Sequence, residues 1–214
     1  MWSGMERYFA LEMPAARFAR NTLIVSALGL APLLFLYIVL TPGFASHLMG
    51  GGPALGRFLR QVLTNGLPVV FIVNYAGFFL FAWMNARHPD GRSRALIVLI
   101  DLPLRVVLFI VLHAIIYVFS ADWFGSFGGS RLTALRVVGP TLARSALFEN
   151  LSGAYLYATL VSALPLYAHA FAGTNQARLL PDRLGPIVAA GVLFGVFILV
   201  LTLAATMLVR LSSG

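Results

Sequence analysis

The chain has no cysteine and no lysine, and only 10% of its 214 residues are charged. Without cysteine there is no disulfide, no thiolate nucleophile, no cysteine-ligated metal and no iron–sulfur cluster. The redox state of its compartment is therefore not written in the sequence. The shortage of charge says more. A soluble domain carries roughly a quarter charged residues. This chain is 60% hydrophobic with a mean hydropathy of +0.90, and could not cover its surface in water. With lysine absent, all fifteen strongly basic residues are arginine, a pattern that fits GC-rich coding. The formal net charge of +8 invites a nucleic-acid reading. The arginines, however, stand singly or in threes at the edges of apolar blocks, with no basic stripe along one face. Flanks of that kind hold helices at the headgroup level and attract anionic lipid. Membrane lipid, and not nucleic acid, is the expected partner.

What the chain does have is length of apolar run. Blocks long enough to cross a bilayer fall at about 22–40, 67–85, 95–119, 146–171 and 186–209. They predict an all-α fold, a polytopic transmembrane helical bundle of about five spans in a single membrane domain. Asn21 is placed to cap the first block. That block exceeds the apolar core of a signal peptide, so an uncleaved first span is expected. Short polar loops at about 86–94, with Pro89, Asp90 and Gly91 as turn residues, and at about 172–184 join spans two to three and four to five. The two longer connections each open with glycines and then become amphipathic, at about 53–65 and 130–144. Segments of this kind predict two interfacial helices, with packing over the ends of the bundle as the plainer alternative. A slight likeness of 60–67 to 144–151, each ahead of a span, would mark a parallel repeat if it reflects duplication.

Orientation follows from arginine placement. The N-terminal segment (Arg7, Arg17, Arg20) and the short loops (Arg87, Arg92, Arg94, Arg178, Arg183) outweigh the far side (Arg57, Arg60, Arg131, Arg136, Arg144, Arg210). The bias predicts a cytoplasmic N-terminus, and a bacterial inner membrane is the expected location.

The most informative candidate is the pair Asp101 and Arg105 within span three. Four residues apart with the acid first, they share one helical face in the favourable order. Charges inside a membrane are costly and commonly face a wet cavity or the bundle interior. One reading is a proton or substrate site, helped by carbonyls freed around Pro103. Another is a neutralised pair fixing span three to a neighbour. A third starts the span after Pro103 and leaves Asp101 near the headgroups. Among other candidates, Asn74 and Tyr75 read as interhelical polar contacts. His47 and His88 lie in loops. His113 and His169 lie in spans, but near opposite ends, roughly 15–20 Å apart in depth at the helical rise, so one haem iron could not take both. Glu149 and Asn150 stand at the start of span four, where a carboxylate suits the helix N-terminus. Without a placed base Glu149 makes no catalytic pair. Small-residue steps, Gly191 with Gly195 and Ala154 with Ala158, support helix packing within or between chains.

Other motif matches fail. The stretch Gly50 to Arg57 is glycine-rich but lacks the lysine and Ser/Thr of a P-loop. The run Asp90-Gly91-Arg92-Ser93-Arg94 is similar to the opening of the CDP-alcohol phosphotransferase motif. The downstream aspartates of that family are missing apart from Asp101, so the likeness ends there. No HExxH, GxSxG or serine–histidine arrangement occurs. No metal, cofactor or catalytic residue is expected. The expected function is a non-catalytic membrane subunit or accessory protein of a larger complex, energy-converting or transporting. It would associate with other membrane subunits or with itself. The alternative is a small oligomeric transporter or channel using Asp101 and Arg105. A weaker third is a lipid-handling enzyme around Glu149 and the neighbouring tyrosines.

Overall fold

The computed structural model describes residues 8–50, 52–87, 91–119, 131–172 and 185–213. Among them every regular element is helical. In chain order these are α1 (Ala15–Leu40), α2 (Phe44–Met49), α3 (Ala54–Gln61), α4 (Leu67–Arg87), α5 (Gly91–Phe119), α6 (Arg131–Ala146), α7 (Leu151–Val161), α8 (Leu164–Ala172) and α9 (Pro186–Ser213). Five helical stretches are long and apolar enough to cross a membrane. Their exposed faces are studded with Leu28, Phe35, Leu99, Val107, Leu199 and Leu203, while Asn74, Asp101, Arg105 and Thr159 are buried. Apolar outside and polar inside is the arrangement of a multi-pass membrane protein, whose lipid-facing surface needs no water.

Several boundaries differ from expectation. The first span starts at Ala15, behind Pro14, and Asn21 is not its cap. Residues 15–21 contain no breaker, so the helix simply extends. Asn21 is instead buried, its amide donating to the Tyr8 carbonyl (2.9 Å), while Phe18 packs on Phe9 and Tyr75. The segment expected as a separate interfacial helix at 53–65 runs without interruption into the second span. A π-helical turn, Val62–Gly66, joins α3 to α4 as one 34-residue helix. Asn65 and Gly66 do not end it. Gly66 lies against the Tyr155 ring, where an added Cβ would come within 2.3 Å of Cε1. The second expected interfacial helix corresponds to α6, which packs against α5, α7 and α9. Span three is continuous through Pro103, so Asp101 lies well inside it. Span five runs past Arg210 to Ser213. The loops expected around Pro89 and Asp90 and around Arg178 and Arg183 lie outside the described residues, as does His88.

The fourth span departs most. It begins at Leu151, not near 146, and breaks at Ser162–Ala163 into α7 and α8. Pro165 has no N–H to give to the Val161 carbonyl, so the α-helical ladder cannot continue through it. Ala163 N bonds to the Leu160 carbonyl three residues back (3.1 Å) and leaves that of Thr159 free of this ladder. This broken span is nevertheless the centre of the bundle. α7 packs on α1, α4, α5 and α6, and α8 on α5 and α9. Its apolar window is 67% buried, against 17% for span one and 11% for span five.

A pinned corner sets the entry to α7. Phe148 adopts a left-handed φ of 61°, and Asn150 caps the helix by accepting from Gly153 N (3.1 Å). The Ser145 hydroxyl donates to Asn150 Oδ1 (2.9 Å) and Asn150 Nδ2 donates to the Thr141 carbonyl (3.2 Å). Tyr157 closes the corner by donating to the Ala146 carbonyl at 2.6 Å. Residues 60–67, by contrast, are helical throughout, so the two segments likened in sequence do not share a conformation. Glu149 is exposed and plays no part in the cap. Asn150→Ala is therefore expected to destabilise the protein by about 1–2 kcal/mol, and Glu149→Ala by less than about 0.5 kcal/mol. An SDS-unfolding titration in mixed micelles would check the contrast.

Candidate functional site

Span three carries the two charges because Asp101 and Arg105, one turn apart, both face the interior. Each has no exposed surface, and Arg105 Nε donates to Asp101 Oδ2 at 2.6 Å. Neither partner could stay charged alone in a low-dielectric interior, since the effective penalty is several kcal/mol per ion. Pairing answers part of that cost. The remaining donors and acceptors draw in three other spans.

From span two, Asn74 Oδ1 accepts from Arg105 Nη1 at 2.7 Å. The same amide donates to Ser26 Oγ of span one at 2.9 Å. Span four contributes from both sides of its break. The Thr159 carbonyl, released from the helical ladder before Pro165, accepts from Arg105 Nη1 at 3.3 Å. Beyond the break, the Tyr167 hydroxyl donates to Asp101 Oδ2. The guanidinium also lies 4.6 Å from the Phe78 ring centroid, in cation–π range. One face of α4 makes room for it, with Asn74, Gly77, Phe78 and Phe81 following one another at helical spacing. A Cβ on Gly77 would stand 2.5 Å from Arg105 Cζ. Among the described residues, Asp101 Oδ1 and Arg105 Nη2 are the members of this pair left without a hydrogen-bond partner.

The other candidates are placed elsewhere. Tyr75 is half-buried between Phe18 and Phe71. His113 is buried, stacked on Phe109 and bonded through Nδ1 to the Phe109 carbonyl (3.1 Å), an intrahelical contact. His169 is half-buried near the end of α8. No group of three metal-binding side chains occurs among the described residues. Ala154 and Ala158 are fully buried on α7, which packs on α1. Opposite them Gly29 lies so near Ser162 that a Cβ would meet its Oγ at 2.2 Å. Gly191 and Gly195 point outward from α9, with no atom within 4 Å of where a Cβ would be.

Sequence reasoning found Asp101, Arg105 and Asn74 but missed Ser26, Gly77, Thr159 and Tyr167. Ser26 and Gly29 recur at nearly helical spacing with the buried Thr22, a signal that was available. Thr159 acts through its backbone, which no residue type announces. The assembled site is closed and neutral as a pair. Its chemistry is that of an electrostatic lock among four spans. The chain matches no known protein family, and no curated protein or solved structure is significantly similar to it.

Single and paired substitutions separate a lock from a set of weak contacts. Asp101→Leu strands a buried guanidinium and should cost about 3–5 kcal/mol. The double change of Asp101 and Arg105 to leucine should be tolerated markedly better, and Ser26→Ala should cost only about 0.6 kcal/mol. Gly77→Ala should destabilise by about 1–3 kcal/mol through overpacking, whereas Gly191→Ala should not. Unfolding midpoints of the five variants would decide.

Proposed function

We propose that this chain is a non-catalytic integral membrane subunit or accessory protein of a larger membrane complex, energy-converting or transporting. The observation that carries the reading is the enclosure of Asp101 and Arg105. An open transport site meets water on one side, and in this conformation the pair has no exposed surface at all. A second feature agrees. Span five is 11% buried in its apolar window and turns Gly191 and Gly195 outward. Small residues on an outward face let another helix approach closely, so a neighbouring subunit or a second copy is the natural occupant of that face. Arginine distribution supports a cytoplasmic N-terminus, and the proposed location is a bacterial inner membrane. Anionic lipid would surround the arginine-bearing ends.

One observation favours the transporter or channel reading. The unpaired Asp101 Oδ1 and Arg105 Nη2 are the kind of atoms that a water or a moving ion would engage. That version needs a conformation in which the site opens, and an oligomer, because five spans are few for a solitary carrier.

Gentle-detergent purification of the tagged chain from its native membranes, followed by mass spectrometry and an absorption spectrum, tests the proposal. Stoichiometric co-purifying proteins are expected, and Gly191→Leu should release them while the chain stays folded. A pure homo-oligomer that moves ions in liposomes, with flux abolished by Asp101→Asn, would overturn the subunit reading.

A further inference from the structure

Where span one hands over to span two, α2 and the first turns of α3 border an open hollow of about 290 Å³. Gly43 and Gly52, at φ of 72° and 80°, turn the chain on either side of α2 in a conformation that side-chain-bearing residues rarely adopt. The apolar part of the lining is Leu48 and Phe58, both buried, with half-buried Phe44. The polar part is His47, Arg57 and Gln61, all exposed. Among the described residues none of these three side chains is engaged in a hydrogen bond or ion pair.

Depth gives the cavity its meaning. The helix from Ala54 to Arg87 has 34 residues and is about 51 Å long at the helical rise, well beyond a hydrocarbon core of about 30 Å. The long apolar run of this helix begins only at Leu67. Residues 54–66 therefore extend from the core into the headgroup zone, beside the end of span one at Leu40. No aspartate or glutamate occurs between Glu12 and Asp90, so the segments that line the hollow carry only positive charge; the exposed Glu149 stands at the same end of the bundle, next to Phe148, which packs on Tyr37. On the face of α3 and the π turn directed away from Arg57 and Gln61, Leu55, Leu59 and Leu63 recur every four residues and are exposed. A cationic hollow at the end of an apolar bundle fits an anionic head group held at the membrane surface.

We infer that this cavity binds an anionic phosphate ester at the membrane surface. Arg57 supplies a planar, permanently charged fork suited to phosphate oxygens. His47 and Gln61 add hydrogen bonds from α2 and from the end of α3. A volume of about 290 Å³ holds a phosphate with a small polar group but no acyl chains. The acyl chains of a phospholipid would instead lie outside the hollow, in the surrounding bilayer. The inference is independent of the subunit role, since a lipid site serves a subunit and a carrier alike.

Native mass spectrometry of the full-length protein, titrated with phosphatidylglycerol or phosphatidylcholine in detergent, tests it. Phosphatidylglycerol should bind in preference and to saturation. Arg57→Gln should weaken it by about tenfold or more. Ala54→Phe, which fills the cavity and leaves every charge in place, should do the same. Arg17→Gln, at the opposite end of span one, should leave it unchanged. Helical content by circular dichroism confirms that each variant is folded. Millimolar inorganic phosphate then distinguishes the source. Bound phosphatidylglycerol that persists assigns the site to lipid, and displacement assigns it to a soluble phosphate ester; either supports an anionic phosphate site. Equal binding of the two lipids, or equal loss in Arg17→Gln and Arg57→Gln, would overturn the inference in favour of diffuse charge attraction.

Discussion

An arginine and an aspartate lie side by side inside span three with no exposed surface. Removing both from water costs several kcal/mol per ion, and their mutual attraction restores only part of it. The remaining hydrogen-bonding atoms then call for partners from other helices, because span three has few polar atoms to offer, and all but Asp101 Oδ1 and Arg105 Nη2 find one. Much of the bundle follows from that demand. Asn74 and Ser26 link spans two and one to the guanidinium in series. Span four supplies Tyr167 to the carboxylate and a backbone carbonyl to the arginine. Gly77 has no side chain because the guanidinium occupies that space.

The break in span four therefore has a purpose beyond accommodating a proline. A continuous helix would have spent the Thr159 carbonyl on its own ladder. Non-helical backbone at membrane depth is tolerated where protein buries it, and here it faces Arg105. Span four is also the least hydrophobic of the five, at a mean hydropathy of 1.2 against 2.8 for span five, and the most buried. The two facts have one cause. Polar and small side chains are useful between helices and costly against lipid, so the span that carries them is enclosed by the rest.

Spans one and five lie at the other extreme. Span one still turns Thr22, Ser26 and Gly29 inward, whereas span five is held chiefly through α6 and α8. A helix so lightly buried has free surface for a neighbour in the membrane. The bundle is thus closed in its interior and lightly packed at its periphery. The end of the bundle around α2 and α3 has a different character, an open hollow lined in part by His47, Arg57 and Gln61.

Hydropathy alone determined the all-helical class and the five spans, since in lipid a run of apolar residues has helix as its accessible single-chain solution. The Asp101–Arg105 spacing likewise placed both charges on one face, and Asn74 stood out as a polar residue in an apolar run. Only the tertiary structure decided that the pair is sealed, because sealing depends on Ser26, Thr159 and Tyr167 arriving from residues far away in sequence. It also decided which glycines matter. Gly29, Gly66 and Gly77 touch neighbouring helices, while the more conspicuous Gly191 and Gly195 face outward. Periodicity names the residues that share a face of one helix. What that face meets is set by the packing of all five, which no local pattern records.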